Sequence, residues 1–552
     1  MDTELLVKYI VIIIYLGVTA VLGIMAWRRT KTEADYLLAG RKAHPVVMAL
    51  SYGATFISTS AIVGFGGNAG VFGFSLLWLT FLNIFLGVFI AFVFFGRRTR
   101  RMGHNLNAHT FPEFMGKRFE SRFIQKFAGI VIFIFMPIYA SAVMIGVARI
   151  LEANLGMPYE FALLIFGVLV AAYVLFGGIK GVMYTDAFQG TLMLIGMIIL
   201  IVMVYSKLGG VTSAHQQLTD LSKNPAVTEQ IAKLTDGGFA GWTSMPTLFS
   251  KYWWTVVSTI VLGVGVGVLA QPQLAVRFMT VKSDREINRA VPVGGVFILM
   301  MTGVAFVVGA LSNVLFFNST GMVSVAAAGG VTDSIIPMFL KDFMPGWFSI
   351  VFLVILLAAG MSTLSSQFHA IGTAAGRDIV GMKKTDTKKS LLVSRTGVLI
   401  AILITIVLSY ILPSVWDGAI TIATSLFFGL CLAAFLPMYI GALYSRKMTR
   451  PAAIAGMVSG FSSSLLWMLF FHAKEATIIG LCNALFGVTT LGSGSMLDVV
   501  DPLVIALPVS IIVTIIVQLV SKKRLDTQLI DKCFHGFKQK AAAQEAAVTE
   551  VQ

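Results

Sequence analysis

Residues Ser51–Gly70 read "SYGATFISTSAIVGFGGNAG", an apolar stretch long enough to cross a bilayer yet interrupted by hydroxyls and glycines. Thr55, Ser58, Thr59 and Ser60 stand between Gly53 and the group Gly64, Gly66 and Gly67. In hydrocarbon, backbone polar groups must be satisfied internally, so such a segment must face protein or a water-filled cavity. A second interrupted stretch, "VLGVGVGVLAQPQLAVRF", covers Val261–Phe278, where Gly263, Gly265 and Gly267 precede Gln271-Pro272-Gln273. Glycine lowers helix propensity, while proline removes a backbone donor and clashes with the preceding turn. Two interrupted spans five helices apart are the pattern of an inverted-repeat transporter with its site at the unwound midplane. Glycines also let helices pack closely, so each stretch taken alone is open to that alternative.

A third stretch, "AAGMSTLSSQFHAIGTAAG" from Ala358 to Gly376, asks what its hydroxyls hold. At helical spacing Ala359, Ser362, Thr363, Ser365, Ser366, His369 and Thr373 fall within about 160° of arc. Met361, Leu364, Phe368 and Ile371 take the other side. Hydroxyl oxygens and freed backbone carbonyls are hard ligands that suit a small cation. A stripe of this kind also serves close packing, or bonds carbonyls of its own helix. His369 reads as a pore-facing hydrogen-bonding residue, with a proton relay as the alternative.

Composition sets the class. Hydrophobic residues form 57% of the chain and charged residues 12%, far from the balance of a soluble domain. Apolar runs of about 20 residues, each able to span some 30 Å of hydrocarbon, recur along the length. About thirteen are expected: 5–27, 45–72, 74–96, 123–152, 158–178, 184–207, 251–279, 290–317, 346–376, 392–412, 417–443, 451–472 and 501–520. The first does not read as a signal peptide, because Asp2 and Glu4 lead it and Trp27-Arg28-Arg29 ends it.

The net charge of +15 is distributed by topology, with no pattern pointing to nucleic acid. With the N-terminus outside, the inner loops carry Arg28, Arg29 and Lys31, then Arg97, Arg98, Arg100 and Arg101. Lys282, Arg285, Arg289, Arg377, Lys383, Lys384, Lys388, Lys389, Arg446, Lys447, Arg450, Lys522, Lys523 and Arg524 complete that side. The outer side keeps Lys8, Lys223, Lys233, Lys341 and Lys474. This positive-inside asymmetry predicts N-out, C-in. Cys431, Cys482 and Cys533 are too widely spaced for a disulfide framework. Residues 525–552 are expected to be a polar cytoplasmic tail too short for a second domain.

At these residues the chain resembles the sodium/solute symporter family. Its broken first core helix looks like "ALSYGATFIST" and its eighth like "AAGMSTLSS". The fifth and sixth are similar to "FGGIKGVMYTDAFQG", Phe176–Gly190, and "AQPQLAVRFMTVKSDREINRA", Ala270–Ala290. The likeness runs in order from about residue 33 to 525 and is nearest to the proline and pantothenate branches. It implies the leucine-transporter-type inverted five-plus-five repeat, with core repeats at about 45–207 and 251–443 inside one transmembrane domain, 1–524.

The resemblance also implies ligands. A sodium site maps onto the carbonyls of Ala54, Ile57 and Ala359 and the hydroxyls of Ser362 and Thr363. Members with a second sodium site use positions that read here as Asp186, Ser362, Ser365 and Ser366. Read from the residues alone, Asp186 also fits a helix cap after the Lys180-Gly181 turn. For the solute, Tyr139 matches a tyrosine of the proline branch, whereas two tryptophan positions read as Ser60 and Val264 and a further tyrosine as Val268. Thr59, Ser60, Tyr139, Val264, Val268 and Gln271 would line a modest, mixed pocket. A small carboxylate-bearing solute fits it better than a sugar, since a freed half-helix N-terminus receives a carboxylate.

The expected protein is therefore an all-α, multi-pass plasma-membrane symporter. Sodium is its coupling ion, and the solute is pantothenate, proline or another amino acid, or a monocarboxylate. No organic cofactor, nucleic-acid partner or enzymatic site is expected. The alternatives are a non-transporting sensor on the same fold, or a proton-coupled symporter. A nucleotide-driven pump is excluded by the lack of a "GxxxxGK[ST]" loop.

Overall fold

The computed structural model describes residues 3–28, 37–380, 387–522 and 524–537. It is helical throughout; among the described residues no strand forms, and a lone bridge pairs Ala43 with Val281. Eleven of the described helices are long and apolar enough to cross a membrane, and Pro45–Phe56 and Tyr159–Ala172 are shorter apolar ones. All the expected stretches fall on helix. The lower number of long helices arises because Pro45–Phe56 and Tyr159–Ala172 fall short, and the second half of 45–72 runs on into 74–96 as Ser60–Asn105. Residues 45–72 divide at a break, while 158–178 and 184–207 lie in one helical run, Tyr159–Lys207. Those 49 residues would make a rod of roughly 74 Å, more than two hydrocarbon thicknesses.

Burial sorts the helices. Ala419–Tyr444 is enclosed along its length, whereas Thr3–Arg28 and Pro502–Val520 present most of their surface outward. Leu519 and Val520, 81% and 75% exposed, are the most exposed large hydrophobic residues of that apolar belt among the described residues, a surface suited to lipid. The loops expected inside meet at one end of the bundle. There Arg100 pairs with Asp284 at 2.8 Å and Arg450 with Glu120 at 3.3 Å, and Arg446 with Asp531. The C-terminal helix Thr527–Phe534 packs onto this basic end, with Cys533 buried and Phe534 under the Arg118 guanidinium. Arg29, Lys31, Lys383, Lys384, Lys523 and residues 538–552 lie outside the described residues.

Both interrupted stretches are broken helices, but their glycines are not where they break. The first helix, Pro45–Phe56, stops at Ile57, whose φ of −90° and ψ of 103° are extended. Ser58 then caps the next half. Its carbonyl accepts from the amides of Ala61 and Ile62, and its hydroxyl from that of Ser60 at 3.2 Å. Gly66 and Gly67 lie beyond, in Phe65–Phe72, and serve close packing. A β-carbon on Gly67 would meet the Thr332 carbonyl oxygen at 2.3 Å, and one on Gly309 would meet that of Gly66 at 2.0 Å. The second helix runs from Lys251 through Ala270 with its three glycines in helical turns, then breaks at Gln271, ψ 116°. Pro272 opens the next half, Pro272–Phe278, at the position where its missing N–H removes no bond.

Candidate functional site

The polar stripe of Gly346–Thr373 faces the first break. The Ser362 hydroxyl donates to the carbonyls of Ala54 at 2.9 Å and Ala359 at 3.0 Å. The Thr363 hydroxyl reaches the same Ala54 carbonyl at 3.1 Å and that of Thr55 at 3.3 Å. Ala54, Ala359, Ser362 and Thr363 are fully buried, so this cluster of neutral oxygens is shielded from solvent. Ile57 sits at the break itself; its amide donates to the Gly53 carbonyl, while the two hydroxyls bond other carbonyls. Four of the five residues expected at the first sodium site are thus brought together, with Thr55 added. Rotating the two hydroxyl hydrogens away would leave only oxygen lone pairs pointing inward, a donor set suited to a hard cation of single charge.

One helical turn further on, the stripe meets a charge pair. Asp186 and Arg277 are both fully buried and lie 3.2 Å apart. Ser51 donates to the same carboxylate oxygen at 2.7 Å, and Thr55 lies 3.5 Å from it. The Arg277 guanidinium also donates to Thr55 at 3.0 Å and to Ser366, and Thr55 and Ser366 are themselves 3.0 Å apart. Asp186 is therefore no helix cap: it lies mid-helix and faces across to both broken helices. Ser365 turns to the Ser362 carbonyl of its own helix, 3.0 Å away. Of the residues expected around a second cation, Asp186 and Ser366 converge, and Arg277 already supplies a positive charge there.

The expected solute residues divide in the same way. The Tyr139 hydroxyl faces Ser58, Ser60 and Gln367, and its ring packs on Phe427 and Phe428 at 5.9 and 5.1 Å. Ser58 and Ser60 bond each other. Thr59 turns away to the Val143 carbonyl at 2.8 Å, where Gly146 lets it approach. The Gln271 amide reaches the Gly267 carbonyl at 3.2 Å and accepts from Gln273, supporting the second break. Val264 and Val268 are buried on the broken helix that packs against Ala419–Tyr444.

Access differs on the two sides. A vestibule of about 610 Å³ opens at the end away from the arginines, lined by Asn68, Tyr252, Thr259, Asp417, Thr421 and Lys474. Toward the basic end a cavity of only about 30 Å³ lies beside Arg277, Ser366, His369 and Asp378. Below it Arg377 and Lys117 clamp Glu113 at 2.9 and 2.7 Å.

Two residues at this cluster escape the sequence reading. Arg277 stands within the second interrupted stretch, and its signal is an ionisable side chain inside a membrane span, which marks a site by default. Gln367 lies just off the hydroxyl stripe, one turn beyond Thr363.

Comparison with known proteins places this geometry. The model of the sodium:solute symporter family matches residues 36–460. The sodium/proline symporter of Escherichia coli is 29% identical over 479 residues, covering 85% of this chain and 88% of that protein. That of Salmonella typhimurium is 30% identical over 476 residues, covering 84% and 88%. The high-affinity proline transporter PutP of Bacillus subtilis is 27% identical over 452 residues, covering 81% and 89%. Among solved structures, a substrate-bound, outward-open Na+-coupled sialic acid symporter aligns with a TM-score of 0.71 at 18% identity, over 94% of this chain and 99% of that one. That likeness shows a shared fold.

Proposed function

The chain belongs to the sodium:solute symporter family, and from that premise we propose which residues bind its coupling ion and what kind of solute it carries. It is a multi-pass plasma-membrane transporter with the leucine-transporter-type fold, in which sodium drives solute movement; it is not an enzyme. Sodium is held by the carbonyls of Ala54, Ile57 and Ala359 and the hydroxyls of Ser362 and Thr363. The observation that carries this reading is the approach of both hydroxyls to the Ala54 carbonyl, beside the break. Because the ion ties Gly346–Thr373 to the first broken helix, it favours whichever arrangement brings them together, and coupling follows from that difference in affinity.

A second sodium would sit at Asp186 with Ser362, Ser365 and Ser366, and in this arrangement it has to displace the Arg277 guanidinium. The solute is a small carboxylate-bearing molecule: an amino acid such as proline, pantothenate or a monocarboxylate. It lies between Ser60, Tyr139, Val264 and Val268, with Thr59 and Gln271 shaping the two breaks. The relatives named as proline transporters support an amino acid first. The domain is single, residues 1–524, with repeats at about 45–207 and 251–443, thirteen crossings and an outer N-terminus. The test is uptake into proteoliposomes of L-proline, pantothenate and pyruvate under a sodium gradient. Equal uptake in choline medium with a proton gradient would refute the sodium reading.

A further inference from the structure

Gln367 lies in Gly346–Thr373 and is fully buried, yet among the described residues neither its amide oxygen nor its amide nitrogen has a hydrogen-bond partner. Buried polar groups are bonded in the great majority of cases, so one left open asks for a reason. The amide looks onto the Tyr139 hydroxyl, which lies among Ser58 and Ser60 at the break, without reaching bonding geometry. Around it the walls are aromatic: Phe427 and Phe428 pack on Tyr139, and Phe56 stacks on Phe428 at 6.2 Å. The nearby charges, Asp186 and Arg277, already face each other.

A buried cluster of hydroxyls with one open amide and no surplus charge suits a solute whose own charges cancel. An amide also offers something the hydroxyls around it lack, an acceptor of full carbonyl strength for a charged nitrogen. We propose that Gln367 is a specificity-determining residue that binds a zwitterionic amino or imino acid, its amide oxygen accepting from the solute's charged nitrogen. The solute carboxylate then receives the hydroxyls of Tyr139, Ser58 and Ser60. This rests on the proposed place of the solute at the first break, and it selects one of the three solute classes named there.

The test uses the full chain in proteoliposome assays under a sodium gradient, with L-proline as probe and tetrahydrofuran-2-carboxylate as the analogue carrying ring oxygen in place of the amine. Wild type should take up L-proline with sodium and discriminate against the analogue. Gln367→Met should raise the KM for L-proline about ten- to a hundredfold, as expected for losing a hydrogen bond to a charged group. Discrimination should collapse toward one. The sodium requirement at saturating L-proline should stay put. Without solute, the thermal midpoint should hold or rise, because the variant removes an unsatisfied buried group. Gln367→Asn, which withdraws the amide by one methylene, should give an intermediate KM. A lower midpoint with unchanged KM and discrimination would make Gln367 structural and overturn the proposal. So would sodium-driven uptake of pyruvate or pantothenate without L-proline, a result that leaves the sodium reading standing. Loss of sodium dependence for every solute would instead sink that earlier reading.

Discussion

Asp186→Asn separates two roles that the geometry superimposes. In the wild type the Asp186 carboxylate and the Arg277 guanidinium lie 3.2 Å apart with 0% and 1% side-chain exposure. Asparagine keeps the shape and still accepts from Ser51, but it strands the guanidinium in a low-dielectric interior. Removing one partner of a buried pair costs about 3–5 kcal/mol. The variant should therefore melt several degrees lower in detergent or lipid. Adding Arg277→Gln removes the stranded charge, so the double variant should regain most of the loss, with a coupling of about 2–3 kcal/mol. Sodium counting is read separately, from the Hill coefficient of uptake and the current it carries. If Asp186 also holds a second sodium, the coefficient falls toward one in the single variant. It stays there in the double variant although stability has returned. Each net charge moved contributes about 2.3 kcal/mol per 100 mV of membrane potential, so the current should shrink with it. Additive single and double effects on melting would refute the coupled pair. Recovery of stability with sodium cooperativity and current unchanged throughout would leave Asp186 serving Arg277 alone.

Ser362→Ala or Thr363→Ala should raise the sodium concentration for half-maximal uptake about tenfold or more while leaving the melting midpoint near wild type; an unchanged sodium curve would remove the hydroxyls from the site. Cysteines placed at Lys233 and Lys447, both exposed, should react with impermeant reagent from opposite faces of the membrane, and same-side labelling would mean a miscounted crossing. Asp333, in the loop at the vestibule end, is pushed up to about 7 chiefly by burial, opposed by the Ile420 amide and reinforced by Asp417. Its folded form favours the proton, so its contribution to stability is greatest below the ordinary carboxylate range near 3.9 and is lost as pH rises toward about 7. Asp333→Asn should accordingly gain stability relative to wild type at pH 8 but not at pH 4, compared by thermal melts; an equal shift at both would sever the link to titration.

The helices, their apolar faces and the two interruptions are legible in the sequence, because they depend on local composition and period. Pro272 marks the second break, but the cause of the first is not legible. Glycines mark low propensity wherever they stand, but Gly67 and Gly309 are needed for backbone contacts between helices far apart in sequence, which no local signal contains. The turns actually open at Ile57 and Gln271, where Ser58 and Pro272 begin the second half of each broken helix. Ser362 and Thr363 are legible because a hydroxyl stripe in hydrocarbon needs partners. Thr59 and Ser365 belong to the same pattern yet bond neighbours away from the pocket, since a hydroxyl's direction depends on a rotamer and not on spacing. Arg277 requires knowing that Pro272–Phe278 lies across from Asp186, a distance of 91 positions along the chain.

The two halves of the first broken helix share one partner and differ in another. Both pack on the helical run Asp284–Thr320, where the Phe297 ring lies against Gly53 and Gly309 against Gly66, but Phe65–Phe72 is also held at Gly67 by the Thr332 carbonyl, while Pro45–Phe56 packs on Tyr159–Lys207. Any sliding between those partners has to be absorbed at Ile57 and Ser58, the non-helical joint between the halves. That joint lies between the oxygens proposed for the ion and the hydroxyls proposed for the solute. With ion and solute at those proposed places, stiffness of the joint and occupancy of the site would be a single mechanical variable: cargo would act as a splint across the joint, and its departure would restore the slack.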